Sequence, residues 1–207
     1  DFPNRRLTVN LAPADLPKES GRFDLPIAVG ILCASGQLPA GPLEELEFVG
    51  ELSLSGTIRP IRGALAMALA VAGDPRPRTL VLPATSGAEA ARVEGARLLA
   101  ASDIVGVAAH FLGNSQLERV EFAAGTAKPV SNGDFSDVKG QAGAKRALEI
   151  AAAGAHNLLM VGPPGAGKSL LAQRLPGIVP PPTRAEALET AALASLAGSF
   201  EPADWGR

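Results

Sequence analysis

The chain has 207 residues, of which 46% are hydrophobic and 19% are charged, and its formal net charge is −2. These values are typical of an ordinary globular protein and exclude an overall basic field that would attract nucleic acid. No apolar run reaches the roughly 18 residues needed to cross a bilayer, so no membrane partner is expected. The single cysteine, Cys33, excludes an internal disulfide and favours the cytoplasm. The N-terminus has neither Met nor a signal-peptide core, so we expect an internal segment of a longer protein.

Residues 1–113 alternate between strand-like and helix-like runs, which predicts an α+β domain with helices packed on one mostly open sheet. Strands are predicted at Leu7–Leu11, Glu47–Leu54, Thr57–Ile61, Thr79–Leu82 and Leu98–Ala101. Helices are predicted at Asp24–Ser35, Ala64–Ala72, Ala88–Gly95 and Ile104–Leu112. A turn at Gly56 predicts that the second and third of these strands form a hairpin.

The composition changes after this domain. Residues 114–134 are polar and contain Gly, Pro, Asn and Ser without a sustained period, which predicts a linker. A second αβ unit is predicted over residues 135–207. Its expected elements are a helix at Gln141–Ala153, a strand at His156–Val161, a helix from Lys168 and a helix at Ala185–Ala197.

The strongest chemical signal is a phosphate-binding loop between that strand and helix. It consists of Gly162, Pro163, Pro164, Gly165, Ala166, Gly167, Lys168 and Ser169, a full G-x-x-x-x-G-K-[ST] match. Glycines let the backbone N–H groups approach the phosphates closely. Lys168 is predicted to reach the β- and γ-phosphates of ATP, and Ser169 to ligate Mg²⁺. The alternative is a Gly/Pro-rich turn with an incidental lysine.

A second segment precedes the loop at the spacing expected of a nucleotide site. Phe135–Gln141 (FSDVKGQ) is similar to the segment of AAA+ ATPases in which backbone near an Asp-Val pair flanks adenine. Asp137 and Val138 are the matching residues. Ordinary turn-to-helix chemistry would produce the same letters.

Together, these residues resemble the YifB/ComM competence-protein family of Mg-chelatase-like AAA+ ATPases. The resemblance depends on the loop and on three segments: residues 15–32 (DLPKESGRFDLPIAVGIL), 48–65 (FVGELSLSGTIRPIRGAL) and 135–141. It implies a cytoplasmic homo-hexamer, powered by ATP and Mg²⁺, that binds branched or single-stranded DNA. Such a motor promotes branch migration during integration of taken-up DNA.

The first domain is similar to the proteolytic domain of Lon, whose fold resembles domain 2 of ribosomal protein S5. Lon cuts with a Ser-Lys dyad, and the matching positions here are near Asp24 and at Met67. A carboxylate is not a serine hydroxyl, and a thioether cannot accept a proton from a nucleophile. Ser20 has no evident base. The resemblance therefore implies a protease fold without protease activity.

Other polar residues are interpreted as structural. Glu44, Glu45 and Glu47 are expected on a solvated loop, and His110 and His156 lack the cysteines of a zinc site. Five basic residues could form a positive surface, but surface ion pairs are favoured: Arg5, Arg6, Lys18, Arg59 and Arg62.

A working P-loop ATPase needs a second, acidic strand to hold Mg²⁺ and orient water. Nothing after Lys168 resembles one, and Asp204 lies in a polar tail. We therefore expect a fragment truncated before that strand, with no catalytic residue and no useful rate of hydrolysis. A DNA motor is the leading hypothesis. The alternatives are a chelatase-type subunit that remodels a partner protein and a non-catalytic Lon-like module that binds peptides.

Overall fold

The computed structural model describes residues 6–12, 21–76, 78–124 and 133–206. The chain forms two compact units, one of Asp1–Gly125 with Leu188–Pro202 and one of Thr126–Ala187 with Ala203–Arg207. The architecture is α/β, with a mixed sheet and surrounding helices. The predicted domain boundary at residue 135 lies close to the first division, whereas Leu188–Pro202 belongs to the first unit.

The described residues contain short strands and mostly longer helices. The strands are β1 (Leu46–Phe48), β2 (Glu51–Leu52), β3 (Ile58–Arg59), β4 (Thr79–Pro83), β5 (Arg97–Ala101) and β6 (Glu118–Arg119). The α-helices are α1 (Asp24–Ala34), α2 (Ala64–Gly73), α3 (Gly87–Ala90), α4 (Ile104–Phe111), α5 (Ala142–Ala153), α6 (Lys168–Arg174) and α7 (Arg184–Ala197). The predicted helices are confirmed, although α3 is shorter than the predicted Ala88–Gly95.

The main sheet of the first unit has the strand order β1-β4-β5-β6. β1, β4 and β5 are parallel, and β6 is antiparallel at one edge. β4 is buried along Leu80–Pro83, as expected for a central parallel strand with both faces covered. Val81 and Leu99 pack with α1 and α4 in one core. α2 contacts β4 and β5.

The predicted hairpin around Gly56 is confirmed, but its first strand is not continuous. β2 pairs antiparallel with β3, whereas β1 joins the main sheet beside β4. Between them, the Val49 N–H donates to Val81 O at 3.0 Å. A Cβ on Gly50 would lie 2.6 Å from Ile58 Cγ2, so a larger residue would obstruct the crossing between sheets. The prediction of one strand at Glu47–Leu54 was therefore wrong.

Two other predictions in the first unit also need correction. Leu7–Leu11 has no regular secondary structure and lines an apolar groove beside α1 instead of pairing with a described strand. The predicted linker contains β6, because Arg119 pairs with Leu99 and Glu118 with Ala100. The polar residues of β6 do not produce the alternating apolar pattern that predicts a strand, since an edge strand can carry charges on its exposed side.

None of the helices in the described ranges combines the length and apolar character needed to span a membrane.

Candidate functional site

The glycine-rich loop of the second unit runs directly into α6. Gly165 and Gly167 both have φ of +81°, a left-handed backbone conformation that residues with a side chain rarely adopt. Gly167 is the last residue before the helix, which begins at Lys168. The predicted helix start is therefore confirmed, and the positive φ explains why the motif needs glycine at these two positions.

The Lys168 ammonium lies across the loop that precedes it. Its Nζ donates to Gly162 O at 2.7 Å and to Pro163 O at 2.8 Å. Both acceptors are at the start of the motif, so the side chain spans the loop from one end to the other. An ammonium has three donors, and two of them are held by these carbonyl groups.

The remaining loop residues form an open surface. Residues 162–166 and Ser169 are exposed, and a Cβ on Gly165 would meet nothing within 4 Å. The first N–H groups of α6 have no intrahelical acceptor, as at any helix start. These donors, the Lys168 ammonium and the Ser169 hydroxyl are the groups that a polyphosphate with Mg²⁺ would use. The residues therefore fit the nucleotide that the motif predicts.

The predicted strand at His156–Val161 is not formed. This segment has no regular secondary structure, and Leu159 and Val161 are 86% and 87% exposed. Met160 is half-buried and packs against the core of the second unit. A strand requires a neighbour for its backbone hydrogen bonds, and no described residue of this unit provides one.

The Phe135–Val138 segment packs against the helix that carries Lys168. Phe135 and Val138 are 8% and 2% exposed, and they share a core with Leu148 and Leu171. Leu171 belongs to α6. Two segments separated in the sequence are thus close in space.

Hydrogen bonds hold this segment in a short 3₁₀ helix, Phe135–Asp137. Asp134 accepts from the Ser136 N–H at 2.6 Å, and Asp137 Oδ2 accepts from the Asp134 N–H at 3.2 Å. The hydrogen bonds from Ser136 lower the pKa of Asp134 below its ordinary value. Arg174, at the end of α6, donates from Nε to Asp137 Oδ2 at 3.3 Å.

The positions that resemble a protease dyad are structural in the first unit. Asp24 Oδ2 accepts from the Leu52 N–H at 3.3 Å, so it satisfies a backbone donor of the hairpin. Met67 is half-buried and lines a cavity of about 310 Å³. Ser20 lies outside the described residues. The described residues thus show no nucleophile-base pair at these positions.

Other sequence candidates also have structural surroundings. Glu47 is not on a solvated loop but on β1, where it accepts from Arg78 at 3.2 Å. Arg59 pairs with Glu51 at 3.1 Å, which confirms the predicted surface ion pair. His110 Nδ1 accepts from the Leu117 N–H, and His156 is exposed. No cluster of three potential metal ligands occurs among the residues that the structure describes.

Two residues near the loop were missed by sequence reasoning, Gln141 and Arg174. The Gln141 amide nitrogen lies 2.7 Å from where a Cβ on Gly167 would stand. Arg174 bonds to Asp137, 37 residues earlier. Gln141 ends the FSDVKGQ segment, which was a usable signal. Nothing in the local sequence marks Arg174.

Two family models match parts of this chain. Residues 134–206 match the family model "Magnesium chelatase, subunit ChlI", and residues 1–86 match "Subunit ChlI of Mg-chelatase".

Similar curated proteins span nearly the whole chain. Protein YifB of Salmonella typhimurium is 48% identical over 95% of this chain and 38% of its own length. Competence protein ComM of Haemophilus influenzae is 46% identical over 94% of this chain and 39% of its own length. An uncharacterized protein of Mycobacterium tuberculosis is 41% identical over 95% of this chain and 39% of its own length. The chain thus spans less than half of each of these relatives, and it belongs to the Mg-chelatase-like family of YifB and ComM proteins.

Proposed function

We propose that the second unit binds ATP with Mg²⁺ through the loop Gly162–Ser169. The observation that carries this proposal is the position of Lys168, whose ammonium spans the loop at 2.7 and 2.8 Å from the first two carbonyl oxygens. Lys168 would bind the β- and γ-phosphates, and Ser169 would ligate the metal ion. Backbone near Asp137 and Val138, packed on the same helix, would flank adenine.

In the complete protein, we propose that this unit is part of an AAA+ motor that acts on branched or single-stranded DNA as a homo-hexamer. The name of the Haemophilus influenzae relative, competence protein, supports this choice. We further propose that residues 1–113 form a Lon-like, ribosomal-protein-S5-like domain, with a P-loop domain beginning at residue 135. Asp24 and Met67 at the dyad positions argue against proteolysis by the first domain.

A second candidate function is ATP-dependent remodelling of a protein partner, as in a chelatase motor subunit. The two matching family models, both named for magnesium chelatase, support this alternative. The phosphate loop serves both functions equally. Binding to branched DNA that weakens steeply with salt would favour the DNA motor, because released counterions drive such binding. Nucleotide-dependent capture of a protein partner would favour the chelatase-type function.

Calorimetric titration of Mg·ATP and Mg·ADP into the chain tests the nucleotide site. We expect Lys168→Ala to abolish measurable binding, since it removes a charge that contacts phosphate. Lys145→Ala on α5 removes the same charge outside the loop and should leave the affinity within about twofold. Equal affinities of the unsubstituted chain and Lys168→Ala would contradict the proposed role of the loop.

A further inference from the structure

Gln141 has an unusual backbone conformation beside the phosphate loop. Its φ is +52°, and among the described residues Gln141 and Ala155 are the non-glycine residues with positive φ. This region is unfavourable for residues with a Cβ, and glutamine is not among the types that tolerate it best. Strained residues of this kind concentrate at functional sites. We therefore asked what the conformation achieves for the side chain.

The conformation places the Gln141 side chain against Gly167. The Gln141 Nε2 atom would lie 2.7 Å from a Cβ on Gly167, whereas Oε1 would lie 4.0 Å away. Of the two amide atoms, the nitrogen is thus the nearer to Gly167. Gly167 directly precedes Lys168, so the amide lies where the loop becomes α6.

This amide has unused hydrogen-bonding capacity. A glutamine amide has two N–H donors. Gln141 is exposed, and its side chain makes no capping hydrogen bond to α5 and none to any other residue within the described ranges. The structure therefore directs an amide donor at the phosphate loop without giving it an acceptor in the described chain.

We propose that the Gln141 amide donates a hydrogen bond to a phosphate oxygen of the nucleotide bound by the loop. The proposal rests on the nucleotide site proposed above and adds a phosphate contact from outside the motif. It explains the backbone strain, because the left-handed residue before α5 sends the amide towards Gly167. It also gives Gly167 a second role, since a side chain there would displace the amide.

The test compares three substitutions by titration with Mg·ATP and, separately, with tripolyphosphate, which carries phosphates without a base. Gln141→Gly suits the positive φ and should fold normally, but we expect about tenfold weaker binding of both ligands, as for a lost hydrogen bond to a charged group. Gln141→Glu has the same shape with an opposing charge and should bind more weakly still. Gln173→Glu, on the exposed side of α6, adds the same charge away from the loop and should have little effect.

Several outcomes would overturn the proposal. Unchanged affinity of Gln141→Glu would show that only the shape of the side chain matters. Weaker binding of ATP with unchanged binding of tripolyphosphate would assign the amide to the base. If Lys168→Ala abolishes binding while Gln141→Gly does not, the nucleotide site stands and the role of Gln141 fails. If the unsubstituted chain binds neither ligand, both proposals fail.

Discussion

Asp137 Oδ2 accepts a hydrogen bond from Arg174 Nε at 3.3 Å, and this ion pair joins the 3₁₀ helix Phe135–Asp137 to the end of α6. The Gly133 backbone covers the pair, because a Cβ there would lie 2.8 Å from Asp137 Oδ2. Lys168 starts the same helix that Arg174 ends. The ion pair therefore fixes the segment proposed to flank adenine relative to the residue proposed to bind phosphate.

The first prediction concerns this ion pair. The two side chains are 21% and 49% exposed, so solvent screens the pair and its loss should cost about 0.5–1 kcal/mol. Arg174→Ala should lower the urea midpoint of the second unit, reported by fluorescence of its buried Trp205. Arg174→Ala should also weaken binding of Mg·ATP more than binding of tripolyphosphate, because the segment proposed to flank the base loses its ion pair with α6.

A matched control for Arg174→Ala is Arg146→Ala, which breaks a more exposed pair with Glu149. We expect its urea midpoint and its affinity ratio to be nearly those of the unsubstituted chain. A larger effect for Arg146→Ala than for Arg174→Ala would contradict the assignment of Arg174.

The second prediction compares two glycine substitutions in the second unit. Gly167→Ala should destabilise by roughly 1–2 kcal/mol, because φ is +81° and the Gln141 amide occupies the space of the Cβ. Gly143→Ala, inside α5 with nothing within 4 Å, should stabilise by about 0.4–1 kcal/mol. Urea unfolding monitored by Trp205 fluorescence measures both changes in stability. If both substitutions stabilise or both destabilise the unit, the result would argue against the loop geometry.

The third prediction tests the core of the first unit with two leucines. Leu25, on α1, is 0% exposed in a core that includes Ile58 of the hairpin, whereas Leu54 at the hairpin tip is fully exposed. Leu25→Ala should cost about 2–5 kcal/mol, since it removes buried methyl groups and leaves a cavity. Leu54→Ala should change stability by less than about 0.5 kcal/mol. Circular dichroism during urea denaturation, compared with the Trp205 signal of the second unit, measures both changes. Comparable costs for the two substitutions would contradict the packing described.

The fourth prediction concerns the pKa of Glu186. Thr183 donates its hydroxyl and N–H to Glu186 Oε2 at 2.7 and 2.8 Å, and these bonds lower the pKa of Glu186 from its ordinary value of 4.5. Because the folded pKa is depressed, the resulting stabilisation is complete above about pH 4.5 and is lost as the pH falls through the folded pKa. Carboxyl NMR titration should find the lowered pKa, and Thr183→Val should raise it towards 4.5. No upward movement would show that the Thr183 hydroxyl, which the substitution removes, is not the cause of the lowered pKa.

The sequence by itself determined the helices and the phosphate loop. Helix periodicity and end signals are local, so α1, α2, α4, α5 and α7 begin and end within a few residues of their predicted limits. The loop is an eight-residue pattern whose glycines are required by backbone conformation, and the positive φ of Gly165 and Gly167 agrees with that requirement. The roles of Lys168, Ser169, Asp137 and Val138 towards nucleotide remain predictions.

Only the tertiary structure decided how the strands pair and which distant residues meet at the loop. The run predicted as one strand, Glu47–Leu54, overlaps both β1 and β2, because β1 pairs with β4 and β2 pairs with β3. The charged β6 is an edge strand because it pairs with β5. His156–Val161 stayed irregular without a described neighbour. Pairing within the main sheet, the approach of Gln141 to Gly167 and the bond between Arg174 and Asp137 join residues 18 to 37 positions apart. Register and packing decide these contacts, not local sequence pattern.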